Sequence, residues 1–188
     1  LRSRPVRGQT PARGELSAGR LDLGLLAKLA ERLPLPESVR TPLQALHPRG
    51  RLDALQLSWE SLPDQPLKFT VDTQFARLGL DPSGQLPGVE NLSGRVVGNE
   101  REGRFQLAVQ SGGLSLPEIM PESIRLEQAT LDGGWQHARA EADGTEALTI
   151  KLDSLKVANP DARGEFSGFW RSAAAGPGYL DLRGRAQQ

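Results

Sequence analysis

A chain of 188 residues with 23 basic and 23 acidic side chains is long enough for one domain or for one segment of a larger protein. The balanced charge argues against a nucleic-acid-binding surface, and the lack of cysteine excludes disulfides, thiolate catalysis and cysteine-ligated zinc. Because 21 Gly and 14 Pro separate many short apolar stretches, we expect a mainly β chain.

The N-terminal quarter of the chain is predicted to hold a tail, one strand and two short helices. Residues 1–13 are basic and nearly free of apolar side chains, so we expect a flexible tail, followed by a single β-rich segment over 14–188. Residues 14–23 read as a first strand. Leucines then recur at helical spacing until a proline, and a second helix is expected from about Pro36 to Leu46. Together the two helices would form a cap at about 25–46; the leucines that predict the first are Leu25, Leu26, Leu29 and Leu33.

Alternating apolar and polar residues predict strands in the rest of the chain. Residues 51–60 and 67–76 indicate a hairpin, in which Leu52 is out of phase with the later apolar residues and therefore marks a bulge or a strand start. Residues 80–91 are predicted to be a loop and 99–103 a turn. Further strands are expected at 92–98, 104–110, 124–136, 148–152, 166–170 and 179–186.

A short pattern recurs in these strands, in which a glycine shares one face with apolar or small neighbours. It appears as LSGRV (92–96), LDGGW (131–135), FSGFW (166–170) and LRGRA (182–186), at intervals too irregular for a strict solenoid. Such glycines can curve a sheet toward that face or admit another group close to the backbone. In the alternative interpretation, a large side chain from an opposing sheet fills each gap. The four glycines are Gly94, Gly133, Gly168 and Gly184.

Signals of catalysis and metal binding are weak. His47 and His137 flank turns without a recognisable metal-ligand spacing. The carboxylates Glu141, Asp143 and Glu146 surround a glycine-containing turn, which is typical of a solvated hairpin tip. No nucleophile elbow, phosphate-binding loop or dinucleotide fingerprint is present. We therefore predict no catalytic residue, no metal ligand, no cofactor and no enzymatic activity.

Several stretches of the chain, taken in order, carry a family resemblance. They are residues 21–60, residues 75–103, LDGGW (131–135), VANPDARGEFSGFW (157–170) and GPGYLDLRG (176–184). The most specific parts are PGVENLSGRV (87–96) with its glycine-rich turn and NPDARGEFSG (159–168) followed by GPGYLDLRG. Over roughly residues 14–184 the sequence resembles the central region of YhdP-type proteins, which are AsmA-like proteins of the Gram-negative cell envelope.

The resemblance implies a long periplasmic protein that is held in the inner membrane by an anchor outside this chain. It also implies a strongly curved antiparallel sheet that forms a taco-like open groove with an apolar interior. The rest of the parent chain would extend this groove, which would carry phospholipid between the inner and outer membranes. The expected partners are phospholipid acyl chains, not nucleic acid.

On this hypothesis the apolar residues of the inferred inner faces line the groove, and the four glycines bend the sheet around it. The expected lining residues are Leu55, Leu57, Trp59, Phe69, Val71, Phe75, Val96, Phe105, Leu107, Val109, Leu131, Trp135, Ile150, Leu152, Phe166, Trp170, Leu180 and Leu182.

Two other interpretations remain open at this point. A closed β-sandwich could serve as a scaffold or protein-interaction module of the cell envelope, in which case the same residues would form a filled core. A hydrolase or a sugar-binding domain would need a cleft with convergent carboxylates or exposed aromatic side chains. The sequence indicates neither of these two features.

Overall fold

The chain folds into a mainly β structure in which antiparallel strands follow one another along the sequence. The computed structural model describes residues 12–30, 41, 44–61, 67–83, 88–115, 122–139, 146–159, 162–173 and 178–187. The elements are β1 (Ala12–Ala18), β2 (Leu21–Asp22), α1 (Leu23–Ala30), β3 (Arg49–Ser61), β4 (Lys68–Leu80), β5 (Gly88–Asn99), β6 (Glu102–Ser115), β7 (Ile124–Arg139), β8 (Glu146–Ala158), β9 (Arg163–Arg171) and β10 (Tyr179–Gln187).

All of these strands belong to one ten-stranded sheet. From β3 to β10 each strand pairs with the next in sequence, β1 pairs with the other side of β3, and the short β2 also pairs with β3. The sheet is open, because β1 and β10 lie at opposite edges and do not pair with each other. The prediction of a mainly β chain with an open antiparallel sheet is therefore confirmed.

The first strand and one loop differ from the sequence-based prediction. The expected strand over 14–23 is two strands, β1 and β2, with a break at Gly19 and Arg20. The loop predicted at 80–91 is shorter, because β4 extends to Leu80 and β5 already begins at Gly88. Proline, glycine and asparagine suggested a loop there. However, Val89 pairs with residues of both neighbouring strands. Because of this pairing, β5 includes residues whose composition is typical of a turn.

Helix α1 covers only one side of the sheet near its edge. Its start is capped by Asp22, whose Oδ1 accepts a hydrogen bond of 2.9 Å from the Leu25 amide. The helix packs against β2 and β3, while Leu25 remains 61% exposed. Of the second predicted helix, Thr41 and residues 44–46 are helical; the rest of it, like Leu33, lies outside the described residues.

Bulges interrupt the ladders between β3 and β6. The register between β3 and β4 shifts at Leu52, which confirms the bulge predicted there. Further shifts follow Phe75 in β4 and Glu90 in β5. Arg77 and Asn91, next to those shifts, have positive φ values of 52° and 59°. Bulges raise the local twist and bend a strand, so this part of the sheet is curved by the backbone itself.

The sheet is a single layer with almost no enclosed core. Among the described residues of the strands only two apolar side chains are buried, those of Val109 and Ala129, and both lie in the middle of the sheet. The described strands do not divide into two packed sheets. The closed sandwich is therefore wrong for the part of the chain that the structure describes, and apart from α1 on β2 and β3 the described residues form no second layer over the sheet.

Candidate functional site: an apolar face crossed by glycines

The register aligns apolar side chains into three rows that each cross nine strands. Cross-strand partners in an antiparallel sheet project from the same face, so a row of partners follows one face from edge to edge. The first row is Leu16, Leu57, Val71, Gly98, Gly103, Trp135, Ile150, Trp170 and Leu180. The second is Ala18, Leu55, Thr73, Val96, Phe105, Gly133, Leu152, Gly168 and Leu182. The third is Leu21, Leu52, Phe75, Gly94, Leu107, Leu131, Leu155, Phe166 and Gly184.

We call the surface formed by these rows the apolar face. The remaining predicted lining residues border it, since Trp59 pairs with Phe69 beside the first row and Val109 pairs with Leu92 beside the third. The pairing thus brings all the predicted lining residues onto one surface; their contact with lipid stays a prediction. At ~4.8 Å between strands, nine strands extend the rows over about 38 Å.

Aromatic side chains of the apolar face lie against glycines of the neighbouring strand. Trp135 pairs with Gly103, and a Cβ atom added to that glycine would overlap the indole ring. Trp59 stands in the same relation to Gly14. Because each glycine lacks a side chain, the ring can lie down over the neighbouring backbone. The same relation holds for Phe105 with Gly133 and for Phe166 with Gly184.

The four glycines singled out in the sequence are covered by atoms of their own sheet. A Cβ on Gly94 would lie 2.9 Å from Leu107 Cδ2, and one on Gly133 would lie 2.9 Å from the Phe105 ring. Gly168 has a φ of 154°, and a Cβ there would overlap the carbonyl oxygen of Asp181. Atoms of the adjacent strands therefore fill the space beside these glycines, so the apolar face is nearly flat at these four positions. Register shifts adjoin Gly133 and Gly168.

Sequence reasoning missed several members of the rows. Gly98 and Gly103 occupy the centre of the first row, and Leu155 continues the third across β8. A signal for Gly103 was present, because it precedes Phe105 by two residues and so shares its face. Gly103 lies under Trp135, which is 32 positions later in the chain, because of the lengths of the intervening hairpins. The spacing of residues along the sequence does not reveal this pairing.

The opposite face of the sheet is polar and carries cross-strand ion pairs. Arg95 binds Asp72 with two hydrogen bonds of 3.0 and 2.7 Å, and this contact lowers the pKa of the Asp72 carboxyl. Asp153 lies 2.9 Å from Lys151 of its own strand and 3.3 Å from Arg104 of β6, and the Lys151 hydrogen bond lowers the pKa of Asp153. Because the pairs between strands are exposed, they favour one register more than they stabilise the fold.

The turn between β5 and β6 is tied to the strands on both sides. Glu100 Oε2 accepts a hydrogen bond of 3.0 Å from the Phe69 amide at the start of β4, and this bond lowers the pKa of Glu100. Trp135 Nε1 donates to the Asn99 carbonyl at 3.1 Å, and His137 Nδ1 donates to the Glu100 carbonyl at 2.8 Å. The predicted turn thus also holds four strands together at one end of the sheet.

A hollow of about 1360 Å³ lies along β5 to β9. Its lining combines residues of the polar face, among them Arg95, Arg104 and Lys151, with Phe105, Trp135 and Leu152 of the apolar rows.

The described residues contain no group of three or more His, Asp or Glu side chains that could hold a metal ion. No helix in the described part of the chain is both long enough and apolar enough to cross a membrane. Glu141 and Asp143, which were weighed as acid–base or calcium candidates, lie outside the described residues.

Comparison with known proteins identifies the family. The model of the YhdP protein family matches residues 3–188, which is nearly the whole chain. Neither the curated proteins nor the solved structures contain a match. Since a family model covers far more than half of the sequence, the chain belongs to the YhdP family.

Proposed function

We propose that this chain is a segment of a periplasmic lipid conduit, in which phospholipid moves between the inner and outer membranes with its acyl chains along the apolar face. Membership of the YhdP family supports a role related to lipid transport. The observation that carries the finer proposal is the continuity of the three apolar rows from β1 or β2 to β10, over which the described residues form no second sheet.

The chemistry of the face suits acyl chains. Apart from Thr73, its rows contain aliphatic and aromatic side chains with glycines between them, so it offers mainly apolar area. Moving an acyl chain from water onto such a surface gains up to ~0.8 kcal/mol per CH₂ that becomes fully buried. Because the rings lie over glycines instead of standing away from the sheet, chains could slide past them. The proposed role needs no catalytic residue.

The edges of the sheet support extension by neighbouring segments of the parent protein. On β10, Leu180 and Leu182 are 57% and 43% exposed at the end of the first two rows. An unpaired strand edge is a template for another strand. A further strand of the parent chain would cover these leucines and lengthen the apolar face. We place the parent protein in the periplasm, anchored in the inner membrane through a segment outside this chain.

Lipid extraction combined with native mass spectrometry tests the proposal directly. The purified chain is incubated with phosphatidylethanolamine vesicles, separated from them, and weighed with its bound lipid. We expect bound phospholipid, and we expect that it protects the apolar face against carbene labelling by photolysed diazirine while the polar face stays labelled. A chain that carries no phospholipid, or one that protects both faces equally, would show that the apolar face is not a lipid surface.

A further inference from the structure

We propose that each phospholipid lies across the apolar rows, parallel to the strands, with its headgroup at the end of the sheet where β3, β5, β7 and β9 finish. We call this the tryptophan end. The acyl chains extend from it toward the third row and beyond. This inference rests on the proposed function, because it takes the apolar face to be the lipid surface, and it is carried by the distribution of tryptophan and aliphatic side chains along the strands.

All three tryptophans of the chain lie at the tryptophan end of the apolar face. Trp135 and Trp170 belong to the first row, and Trp59 lies two residues further out than Leu57 of that row. Tryptophan is enriched where an apolar region meets a polar one, because its ring is apolar and its N–H group needs a partner. Phenylalanine rings, which carry no polar hydrogen, also occupy the second and third rows, as Phe75, Phe105 and Phe166 do.

The indole nitrogens of Trp135 and Trp170 lie toward the turns at this end. Trp135 Nε1 donates to the Asn99 carbonyl of the turn after β5, at 3.1 Å. A Cβ atom added to Gly178, the residue before β10, would lie 2.8 Å from Trp170 Nε1. Both N–H groups are therefore placed at the boundary between the turns and the apolar rows, which is where the polar part of a lipid would lie.

His137 marks the same boundary. It follows Trp135 by two residues, so it projects from the same face, and it pairs with Leu148 of β8. The side chain is exposed, and its Nδ1 donates to the Glu100 carbonyl at 2.8 Å. This bond fixes the ring and leaves Nε2 to accept a hydrogen bond from an ammonium or hydroxyl group of a headgroup.

Aliphatic side chains fill the rows on the opposite side of the apolar face. The centre of the third row is Leu107, Leu131 and Leu155. Beyond it a fourth, shorter row contains neither an aromatic nor a polar side chain, and the two buried apolar side chains of the strands belong to it. Water therefore has least access to the part of the face that lies away from the tryptophans. The fourth row is Leu78, Leu92, Val109, Ala129, Val157, Gly164 and Ala186.

The distance across the rows matches the length of one acyl chain. Trp135 of the first row and Ala129 of the fourth are six residues apart on β7, which corresponds to about 20 Å in an extended strand. One leaflet of a bilayer, half of a hydrocarbon core of about 30 Å, has an acyl layer of about 15 Å. An acyl chain parallel to the strands therefore fits within the rows. A lipid in this orientation can pass from strand to strand without moving its headgroup over the apolar rows.

Quenching of tryptophan fluorescence by brominated lipid tests the orientation, because bromine quenches an indole only at short range. The 188-residue chain is loaded with phosphatidylethanolamine that carries bromine on one acyl chain, either close to the glycerol or close to the methyl end. Native mass spectrometry of the same preparations measures the bound lipid. In a reporter variant, Trp59→Phe, Trp135→Phe and Trp170→Phe are combined with Leu155→Trp in the third row. Circular dichroism checks that the variant keeps the sheet.

We expect bromine close to the glycerol to quench the native tryptophans at least twice as strongly as bromine close to the methyl end, and we expect the reporter variant to reverse this order. If the reporter variant does not fold, the comparison of the two lipids on the native chain decides. Equal quenching by the two lipids, or stronger quenching by bromine at the methyl end, overturns the orientation when equal amounts of lipid are bound, and leaves the proposed function intact. Mass spectra without bound lipid overturn the proposed function and this inference with it.

Discussion

The indole ring of Trp135 lies over the backbone of Gly103, its partner on the neighbouring strand, and donates its Nε1–H to the Asn99 carbonyl at 3.1 Å. The ring is held at both ends, because Gly103 leaves room for it and the Asn99 carbonyl of the turn accepts a hydrogen bond from its only N–H group. A large residue is thereby laid flat on the apolar face without an opposing layer to hold it. Trp59 lies over Gly14, and Phe166 lies over Gly184, in the same way as Trp135 lies over Gly103.

Replacing Gly103 by alanine should destabilise the sheet, since the new methyl group would overlap the Trp135 ring. Forcing one methyl group into a filled site costs about 1–3 kcal/mol. We expect a lower urea midpoint for Gly103→Ala and a red-shifted tryptophan emission as the ring leaves the backbone. Gly19→Ala is the matched control, because no atom lies within 4 Å of its Cβ position. Equal midpoints for the two variants would contradict the arrangement.

Replacing Gly168 by alanine should release the last strand of the sheet. The φ of 154° is disfavoured for alanine, and the added Cβ would overlap the Asp181 carbonyl oxygen of β10. Strain of this kind costs about 1–3 kcal/mol. Hydrogen exchange is expected to accelerate at least tenfold for amides of β10 that pair with β9, while β5 and β6 keep their protection. Uniform acceleration throughout the sheet would mean that β10 does not open as a local unit.

The contact between Glu100 and the Phe69 amide predicts a pH dependence of stability. The hydrogen bond from the Phe69 amide lowers the pKa of Glu100 in the folded state. A carboxyl with a depressed folded pKa contributes stability that is fully present above its unfolded pKa and is lost as the pH falls through the folded pKa. NMR titration of the Glu100 carboxyl should therefore give a lower midpoint in the folded chain than in the urea-unfolded chain, and Glu100→Gln should reduce the pH dependence of the free energy of unfolding between the two midpoints. Equal midpoints in the two states would contradict the contact.

The sequence predicted the strands of this fold well because the alternation of apolar and polar residues is a local property of each strand. Leu107 and Val109, for example, share a face whatever strand lies beside them. It could not predict that Gly103 meets Trp135 or that Arg104 and Lys151 flank Gly134, because those relations depend on the lengths of two intervening turns.

A pair of substitutions on one strand separates the two faces of the sheet. Leu107 belongs to the third apolar row, and Ala108, its neighbour, projects from the polar face beside Ser93 and Thr130. Leu107→Asp places a carboxylate among acyl chains, whereas Ala108→Asp places the same group beside hydroxyl side chains. Because Leu107 is only half-buried in a single-layer sheet, the fold should survive with a loss of about 0.5–3 kcal/mol.

We expect Leu107→Asp to reduce the phospholipid bound per folded chain at least fivefold, since an ionised carboxylate cannot lie within an apolar contact without losing its hydration. Ala108→Asp should leave the bound lipid within twofold of the parent value. Urea midpoints measured on the same preparations separate lipid loss from unfolding. If both variants keep their lipid, or if Ala108→Asp loses as much as Leu107→Asp at equal stability, the acyl chains do not lie on the apolar face.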